Sequence, residues 1–329
     1  MVWLLFLASS AVVTLAATKL AEYSDIIGVR TKLGGLFVGT IFLAAATSMP
    51  ELMASISSFR SGAVNLAAGN FFGSNMTNIA LLAVVDLGLR RIPLLRGTAI
   101  SHSLTAALAT VLMLVAVTSI VLGGVPAIGW VGLDSLLLIG LYFAGMWLVQ
   151  RENNANAGPA VIEEPADDFP SLRRGIIGFI IATAVLLVTV PQLVKASLGI
   201  AEITGLGSGF IGTALLSFVT SLPELVAAIA AVRLGAFDMA VGNLLGSNVF
   251  NMFGLAIADF FLLDGAFLSL INENFVLVGL LGILLTNMAL IGNLARVQRK
   301  FLFIELDSVA ILFVYLAGMY LLYLRGVGL

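Results

Sequence analysis

Ten apolar runs, each of roughly the 20 residues that a helix needs to cross a bilayer, follow one another along this chain. They fall near 2–18, 34–59, 66–88, 99–121, 128–149, 175–193, 207–232, 239–263, 272–294 and 304–324. The runs are continuous and do not alternate apolar with polar residues, which sets them apart from the strands of a membrane β-barrel. Composition points the same way. Of 329 residues, 60% are hydrophobic and 10% charged, and the mean hydropathy is +1.12. A soluble domain carries about 25% charged residues. Too little polar side chain is present to cover a globule, which excludes a soluble enzyme, a nucleic-acid binder and a disordered tail. The net charge of −2 gives no basic face, and the absence of Cys excludes disulfides and thiolate metal sites. The fold class predicted is an all-α membrane protein with ten transmembrane helices, its main surroundings the lipid bilayer. The first run has no basic segment before it and no small-residue cleavage site, so it is read as a retained helix.

The basic residues orient the runs. With the N-terminus outside, the inner loops hold Lys19, Arg30, Lys32, Arg90, Arg91, Arg96, Arg151, Arg173, Arg174, Arg233, Arg296, Arg299 and Lys300. The outer loops hold only Arg60, Lys195 and Arg325. Cytoplasmic loops carry the excess of Lys and Arg, so this asymmetry supports both the orientation and the helix count. A multi-pass protein of the cell membrane is expected. Residues 150–174 break the apolar pattern with Asn153, Asn154, Asn156, Glu163, Glu164, Asp167, Asp168, Pro159, Pro165 and Pro170. They read as a solvated cytoplasmic linker, too short to fold alone.

The chain is also a repeat. Gly39–Asp86 aligns with Gly212–Asp259 at a constant offset of 173 without gaps, and 23 of the 48 positions are identical. Leu133-Asp134-Ser135 and Ala144-Gly145-Met146 recur at the same offset as Leu306-Asp307-Ser308 and Ala317-Gly318-Met319. The organisation predicted is a first five-helix repeat over 1–149, the linker, and a second over 175–329. Five is odd, so the second copy enters the membrane from the opposite side. Inverted repeats of this kind belong to secondary transporters, whose sites lie at the midplane between the repeats.

The strongest identity falls in the second and third helices of each half. Glu51 and Glu224 stand well inside apolar runs, where a charge costs roughly 2.5–3.5 kcal/mol on insertion scales and marks a functional site. Each follows a proline, Pro50 or Pro223. A proline removes a backbone donor, freeing the carbonyls near Ala46–Thr47 and Val219–Thr220 for another partner. Thr47, Ser48, Thr220 and Ser221 add hydroxyls beside those breaks. Gly73-Ser74-Asn75 and Gly246-Ser247-Asn248 are expected to break the third and eighth helices in the same way. Ser74 with Asn78, and Ser247 with Asn251, are four apart and share a helix face. The inventory is two carboxylates, amide oxygens, hydroxyls and carbonyls. Such oxygen-only sets suit hard cations, Ca²⁺ and Na⁺ first, and a dehydrated protein cage favours Ca²⁺ over Mg²⁺.

The paired pattern G-T, T-S-x-P-E and G-N-x-x-G-S-N-x-x-N resembles the α-repeats of the calcium/cation antiporter superfamily, with the sodium/calcium exchangers as the branch most alike. The resemblance covers both halves. It implies ten helices in two inverted repeats and alternating access at one central cluster. It also implies that Ca²⁺ and Na⁺ compete for Glu51 and Glu224. The supporting ligands carried over by motif are Thr47, Ser48, Ser74 and Asn78, then Thr220, Ser221, Ser247 and Asn251. The carbonyls of Ala44 and Ser217 are further candidates, although a small apolar residue is more usual where Ser217 stands. The last motif position of the second repeat is Asp in many prokaryotic and potassium-dependent members. Here it is Asn251, as in animal exchangers that do not need K⁺.

The reading is an antiporter that exchanges Ca²⁺ for Na⁺, needs no cofactor, makes no nucleic-acid contact and functions as a monomer. The alternative is a Ca²⁺/H⁺ antiporter with protons carried on the same two glutamates. A channel fits poorly, since filters are usually built from rings in symmetric oligomers. An enzyme lacks a nucleophile. Asp86 and Asp259 read as interfacial acids near helix ends, Asp134 and Asp307 as helix caps, His102 as an interfacial residue, and Phe71 and Phe72 as packing.

Overall fold

The computed structural model describes residues 1–31, 44–89, 101–156, 169–295, 300–301 and 304–328. The helices are α1 (Val2–Thr31), α2 (Met49–Arg60), α3 (Val64–Gly88), α4 (Ser101–Val121), α5 (Leu133–Asn156) and α6 (Leu172–Thr204). There follow α7 (Ser208–Ile211), a π-helical turn at Gly212–Leu216, α8 (Ser217–Thr220), α9 (Leu222–Arg233), α10 (Phe237–Asp259), α11 (Phe267–Leu270), α12 (Phe275–Ala295) and α13 (Leu306–Arg325). Among the described residues, nine helical stretches are long and apolar enough to cross a membrane. The protein is an all-helical membrane protein. The predicted second span, 34–59, is described only from residue 44. Gly39, Thr40, Lys32, Arg90, Arg91, Arg96 and most of the linker, with Glu163, Glu164, Asp167 and Asp168, lie outside the described residues.

Three helices outrun their predicted bounds, α5 by seven residues past 149, to Asn156 in the stretch read as linker. α1 continues thirteen residues past 18, because Lys19 and Glu22 point outward and pair at 2.6 Å instead of ending it. α6 carries Pro191 in its interior and ends only at Gly205, whose φ of 69° supplies the left-handed cap that glycine tolerates. The expected breaks at Gly73 and Gly246 do not occur. α3 and α10 run through both motifs as single helices. An interior glycine costs a helix only about 1 kcal/mol, and at Gly73 it serves packing. A Cβ there would lie 2.6 Å from both the Thr213 Cα and the Thr213 carbonyl oxygen. Gly69 and Gly212 meet in the same way, so α3 lies backbone to backbone on the π-helical turn.

α3 and α10 form the centre. Their spans are 83% and 78% buried, against 22–50% for the other spans. One apolar cluster joins them to α4 and α12, with Phe71 and Phe72 fully inside it and Phe72 stacked on Phe275. A second cluster lies between α1 and α6, which pack together along much of their length. The outer face is apolar, with Leu4, Leu7, Ile180, Ile181, Val188, Phe313 and Leu316 exposed, as lipid solvent allows.

The 173-residue offset extends to features with no sequence signature. A two-residue hairpin precedes α5, with Ala127 opposite Gly132 and Ile128 opposite Val131. Another precedes α13, with Lys300 opposite Glu305 and Phe301 opposite Ile304. All four pairings are related by 173. Asp86 and Asp259 do not reach water, as acids that read as solvated helix ends would. Both are buried, and they tie one half to the other. Asp259 accepts from the backbone N–H of Gly132 at 2.9 Å and of Phe267 at 2.7 Å, while Asp86 accepts from the Ser308 hydroxyl. Asp134 lies within the first turn of α5 and is not its cap. It accepts from the Ser135 N–H and the Ser119 hydroxyl.

Candidate functional site

The centre is built from two chain breaks. Ser48 and Ser221 precede α2 and α9 with nearly the same backbone, φ −88°, ψ 9° and φ −86°, ψ 1°. Pro50 and Pro223 therefore sit in the first turns of α2 and α9, where a missing N–H leaves no intrahelical bond unmade. Helical backbone bonds still run across each break, from Ser48 N–H to the Ala44 carbonyl and Leu52 N–H to the Ser48 carbonyl, and from Ser221 N–H to Ser217 and Leu225 N–H to Ser221, so each proline interrupts a helix that continues beyond it. Each places its glutamate in a helical first turn, where the peptide dipoles favour negative charge. Ser-x-x-Glu at a helix start is also the sequence of a capping box, yet neither serine caps its own helix. Ser48 Oγ donates to Glu224 Oε1 at 2.9 Å, and Ser221 Oγ donates to Glu51 Oε1 at 3.3 Å. The same two oxygens receive Ser74 at 3.5 Å on Glu51 and Ser247 at 3.3 Å on Glu224.

The glutamate backbones are held too. Asn70 Nδ2 donates to the Glu51 carbonyl at 3.0 Å, and Asn243 Nδ2 donates to the Glu224 carbonyl at 3.4 Å. Asn70 Oδ1 in turn accepts from Thr220 at 3.0 Å. Thr47 and Thr220 also donate to the carbonyls of Ala44 and Ser217. Those carbonyls accept the N–H of Ser48 and Ser221 as well, so two bonds already occupy each oxygen's two lone pairs.

What remains is a set of buried oxygens with no partner: Glu51 Oε2, Glu224 Oε2, Asn78 Oδ1, Asn251 Oδ1 and Asn243 Oδ1. The residues that carry them are at most 3% exposed. A buried acceptor left unmade costs about 1–3 kcal/mol, more for a charged group. No Lys, Arg or His pairs with either glutamate among the described residues. His102 lies apart, 3.2 Å from Asp238. Two carboxylate and two motif amide oxygens, carried by residues related by 173, are of the donor type that a hard cation takes.

The structure thus joins Ser48, Ser247 and Glu224, and Ser221, Ser74 and Glu51, by direct hydrogen bonds, while Asn78 and Asn251, one helical turn past Ser74 and Ser247, bond to Asn248 and Asn75 and not to the glutamates. Thr47, Thr220, Ala44 and Ser217 support the breaks, and Gly73 packs on the facing turn. Gly246 has more room: a Cβ there would lie 3.7 Å from that of Ala44. The sequence reading did not assign Asn70, Asn243, Asn75 and Asn248, although all four lie within the repeated motif that could have named them.

The family model described as sodium/calcium exchanger protein matches residues 1–150 and 174–324. The sodium/calcium exchanger MaX1 of Methanosarcina acetivorans is 36% identical over 80 residues, 24% of this chain and 23% of that one. Among solved structures, the H⁺/Ca²⁺ exchanger CAX superposes with a TM-score of 0.74 at 15% identity, covering 98% of this chain and 85% of its own. The sodium-calcium exchanger NCX_Mj superposes with a TM-score of 0.60 at 22% identity, covering 97% of this chain and 99% of its own. At these identities the superpositions speak to fold.

Proposed function

The chain belongs to the sodium/calcium exchanger protein family, and from that premise we propose that it is a secondary antiporter exchanging Ca²⁺ for Na⁺ at one central site. The observation that carries the reading is the set of unpartnered oxygens: Glu51 Oε2, Glu224 Oε2, Asn78 Oδ1 and Asn251 Oδ1. Two ionised carboxylates balance one Ca²⁺. When it leaves, the same negative charge accommodates Na⁺, with the hydroxyls of Ser48, Ser74, Ser221 and Ser247 close enough to turn their lone pairs toward a monovalent ion. One ion set replaces the other because both need the same two glutamates. Thr47, Thr220 and the carbonyls of Ala44 and Ser217 join as ligands when the breaks before α2 and α9 shift.

The surrounding architecture in this reading is ten helices. A five-helix repeat over 1–149 is joined by a cytoplasmic linker, 150–174, to an inverted repeat over 175–329. The N-terminus lies outside the cell membrane and one chain suffices for exchange. The relation by 173 between the hairpins and between the serine–glutamate bonds supports two equivalent halves. An odd number of helices per half then lets each half open toward its own side.

A second reading, Ca²⁺/H⁺ exchange on the same glutamates, draws support from the CAX fold likeness. The four serine hydroxyls favour Na⁺, since protons need none of them. Purified protein in vesicles decides between the two. An outward Na⁺ gradient at clamped pH should drive Ca²⁺ uptake, and a pH gradient without Na⁺ should not. The converse result assigns H⁺, and no Ca²⁺ flux under either gradient refutes both.

A further inference from the structure

Asn75 and Asn248 are fully buried beside the site, but their contacts run to other amides and not to the carboxylates. Asn78 Nδ2 donates to Asn248 Oδ1 at 3.0 Å, and Asn251 Nδ2 donates to Asn75 Oδ1 at 3.1 Å. Both bonds cross between the repeats. A third, from Asn248 Nδ2 to the backbone carbonyl of Asn75 at 3.2 Å, also crosses.

The two ends of a side-chain amide are chemically opposite, since its oxygen only accepts and its nitrogen only donates. A backbone carbonyl also only accepts. The Asn75 carbonyl therefore requires Asn248 to present Nδ2 to it and turns Oδ1 toward Asn78. That oxygen requires Asn78 to present Nδ2 in its turn, so Asn78 Oδ1 points away from Asn248. Asn78 Oδ1 is buried and unpartnered, one helical turn from Ser74, whose hydroxyl lies on Glu51. A single backbone atom thus decides which end of Asn78 is left for a ligand. The other arm has no such anchor, because Asn75 Nδ2 finds no partner.

We propose that Asn248 is a positioning residue, which holds the amide oxygen of Asn78 toward the bound cation from the opposite repeat. The proposal rests on the central oxygens being the cation site. Without Asn248, Asn78 can turn and offer its NH₂ group, which repels a cation. Asn75 does the same for Asn251 with a weaker hold, because its own orientation is not fixed.

A double-mutant cycle tests this by equilibrium Ca²⁺ binding to the purified full chain in detergent. Asn78→Asp offers an oxygen whichever way it turns, so in that background Asn248 has nothing left to orient, and its Oδ1 only opposes the new carboxylate, because both groups accept and neither donates. Asn248→Ala should weaken Ca²⁺ binding about tenfold in the wild-type background and less than about twofold in Asn78→Asp. Equal losses in both backgrounds would reveal general packing damage and overturn the proposal, as would no loss in the wild type. Should Asn248→Ala fail to fold, Asn248→Ser is too short to reach Asn78 and enters the same cycle. Glu51→Gln is the control. A wild type that binds no Ca²⁺ refutes the site itself, whereas Ca²⁺ binding lost only in Glu51→Gln, with Asn248→Ala like wild type, refutes the orienting role alone.

Discussion

Ser48 donates to Glu224 across 176 positions of sequence, and Ser221 returns the bond to Glu51 across 170. Each half contains a serine and a glutamate spaced for a capping box, and each half sends its serine to the other's glutamate. Neither half holds a complete set of contacts to its own carboxylate. The bonds that hold the carboxylates in place are therefore also the bonds that hold the repeats together at the centre.

Removing one carboxylate should disable the site without unfolding the protein. Glu51→Gln or Glu224→Gln keeps shape and one acceptor oxygen while halving the negative charge. A lost charged ligand is worth about 1.5–3 kcal/mol, so Ca²⁺ binding should fall by roughly one to two orders of magnitude. Isotope flux and titration on folded protein measure this, and a variant with wild-type Ca²⁺ transport would refute a central site.

The serines should separate the two ions. Ser74→Ala and Ser247→Ala each remove a hydroxyl that sits on a carboxylate oxygen. The carboxylates dominate a divalent ion, while a monovalent one depends more on neutral oxygens. The Na⁺ concentration that displaces half the Ca²⁺ should rise about two- to tenfold, for a hydrogen-bond-sized loss of about 0.5–1.5 kcal/mol. The Ca²⁺ affinity measured without Na⁺ should change less. An unmoved Na⁺ midpoint in both variants would count against hydroxyl ligation.

Asn251 makes exchange independent of K⁺ in this reading. An amide adds an oxygen dipole and no charge, so one Ca²⁺ neutralises the two glutamates and nothing is left to hold a second cation. Asn251→Asp adds a third acid among like charges, which must then take up a proton or recruit a monovalent ion. Ca²⁺ flux with and without K⁺, across pH, should be indifferent to K⁺ in the wild type. In the variant it should gain K⁺ sensitivity or a steeper pH dependence.

The seam between α3 and the π-helical turn should tolerate no side chain. Gly73→Ala would place a methyl group 2.6 Å from backbone atoms of Thr213. Backbone cannot turn aside as a side chain does, and overpacking costs about 1–3 kcal/mol. Thermal unfolding in detergent should show a clear loss of stability. Gly246→Ala, with 3.7 Å of room, should show little change in the same measurement.

Asp259 should matter to stability more than to ion choice. It accepts two backbone N–H groups, one on each oxygen, and Asn offers only one acceptor. Asp259→Asn should therefore lower thermal stability by the roughly 1–3 kcal/mol of an unmade buried bond. The Na⁺/Ca²⁺ preference of the folded fraction should stay unchanged. A shifted preference at full stability would make Asp259 part of the ion path.

The membrane setting, the 173-residue repeat and the two buried glutamates with the serines that meet them were legible in the chain itself. Apolar run length reflects bilayer thickness, and two buried glutamates at equivalent positions need a reason wherever the helices pack. Local rules misplaced what depends on neighbours. Gly73 reads as a helix break by propensity, but α3 stays helical because the glycine allows the facing backbone to approach. Asp86 and Asp259 read as interfacial by their distance from the run centres, but partners from the other half bury them. The roles of Asn75 and Asn248 were also hidden. Sequence supplies an amide, and only the atom it meets decides whether its oxygen or its nitrogen is free. The sequence determines which groups this protein carries into the membrane. The tertiary structure decides which of their lone pairs remain unpaired, because the pairings that cross between the halves, Ser48 with Glu224, Ser221 with Glu51, Asn78 with Asn248 and Asn251 with Asn75, join residues 170 or more positions apart, and no local spacing encodes such a contact.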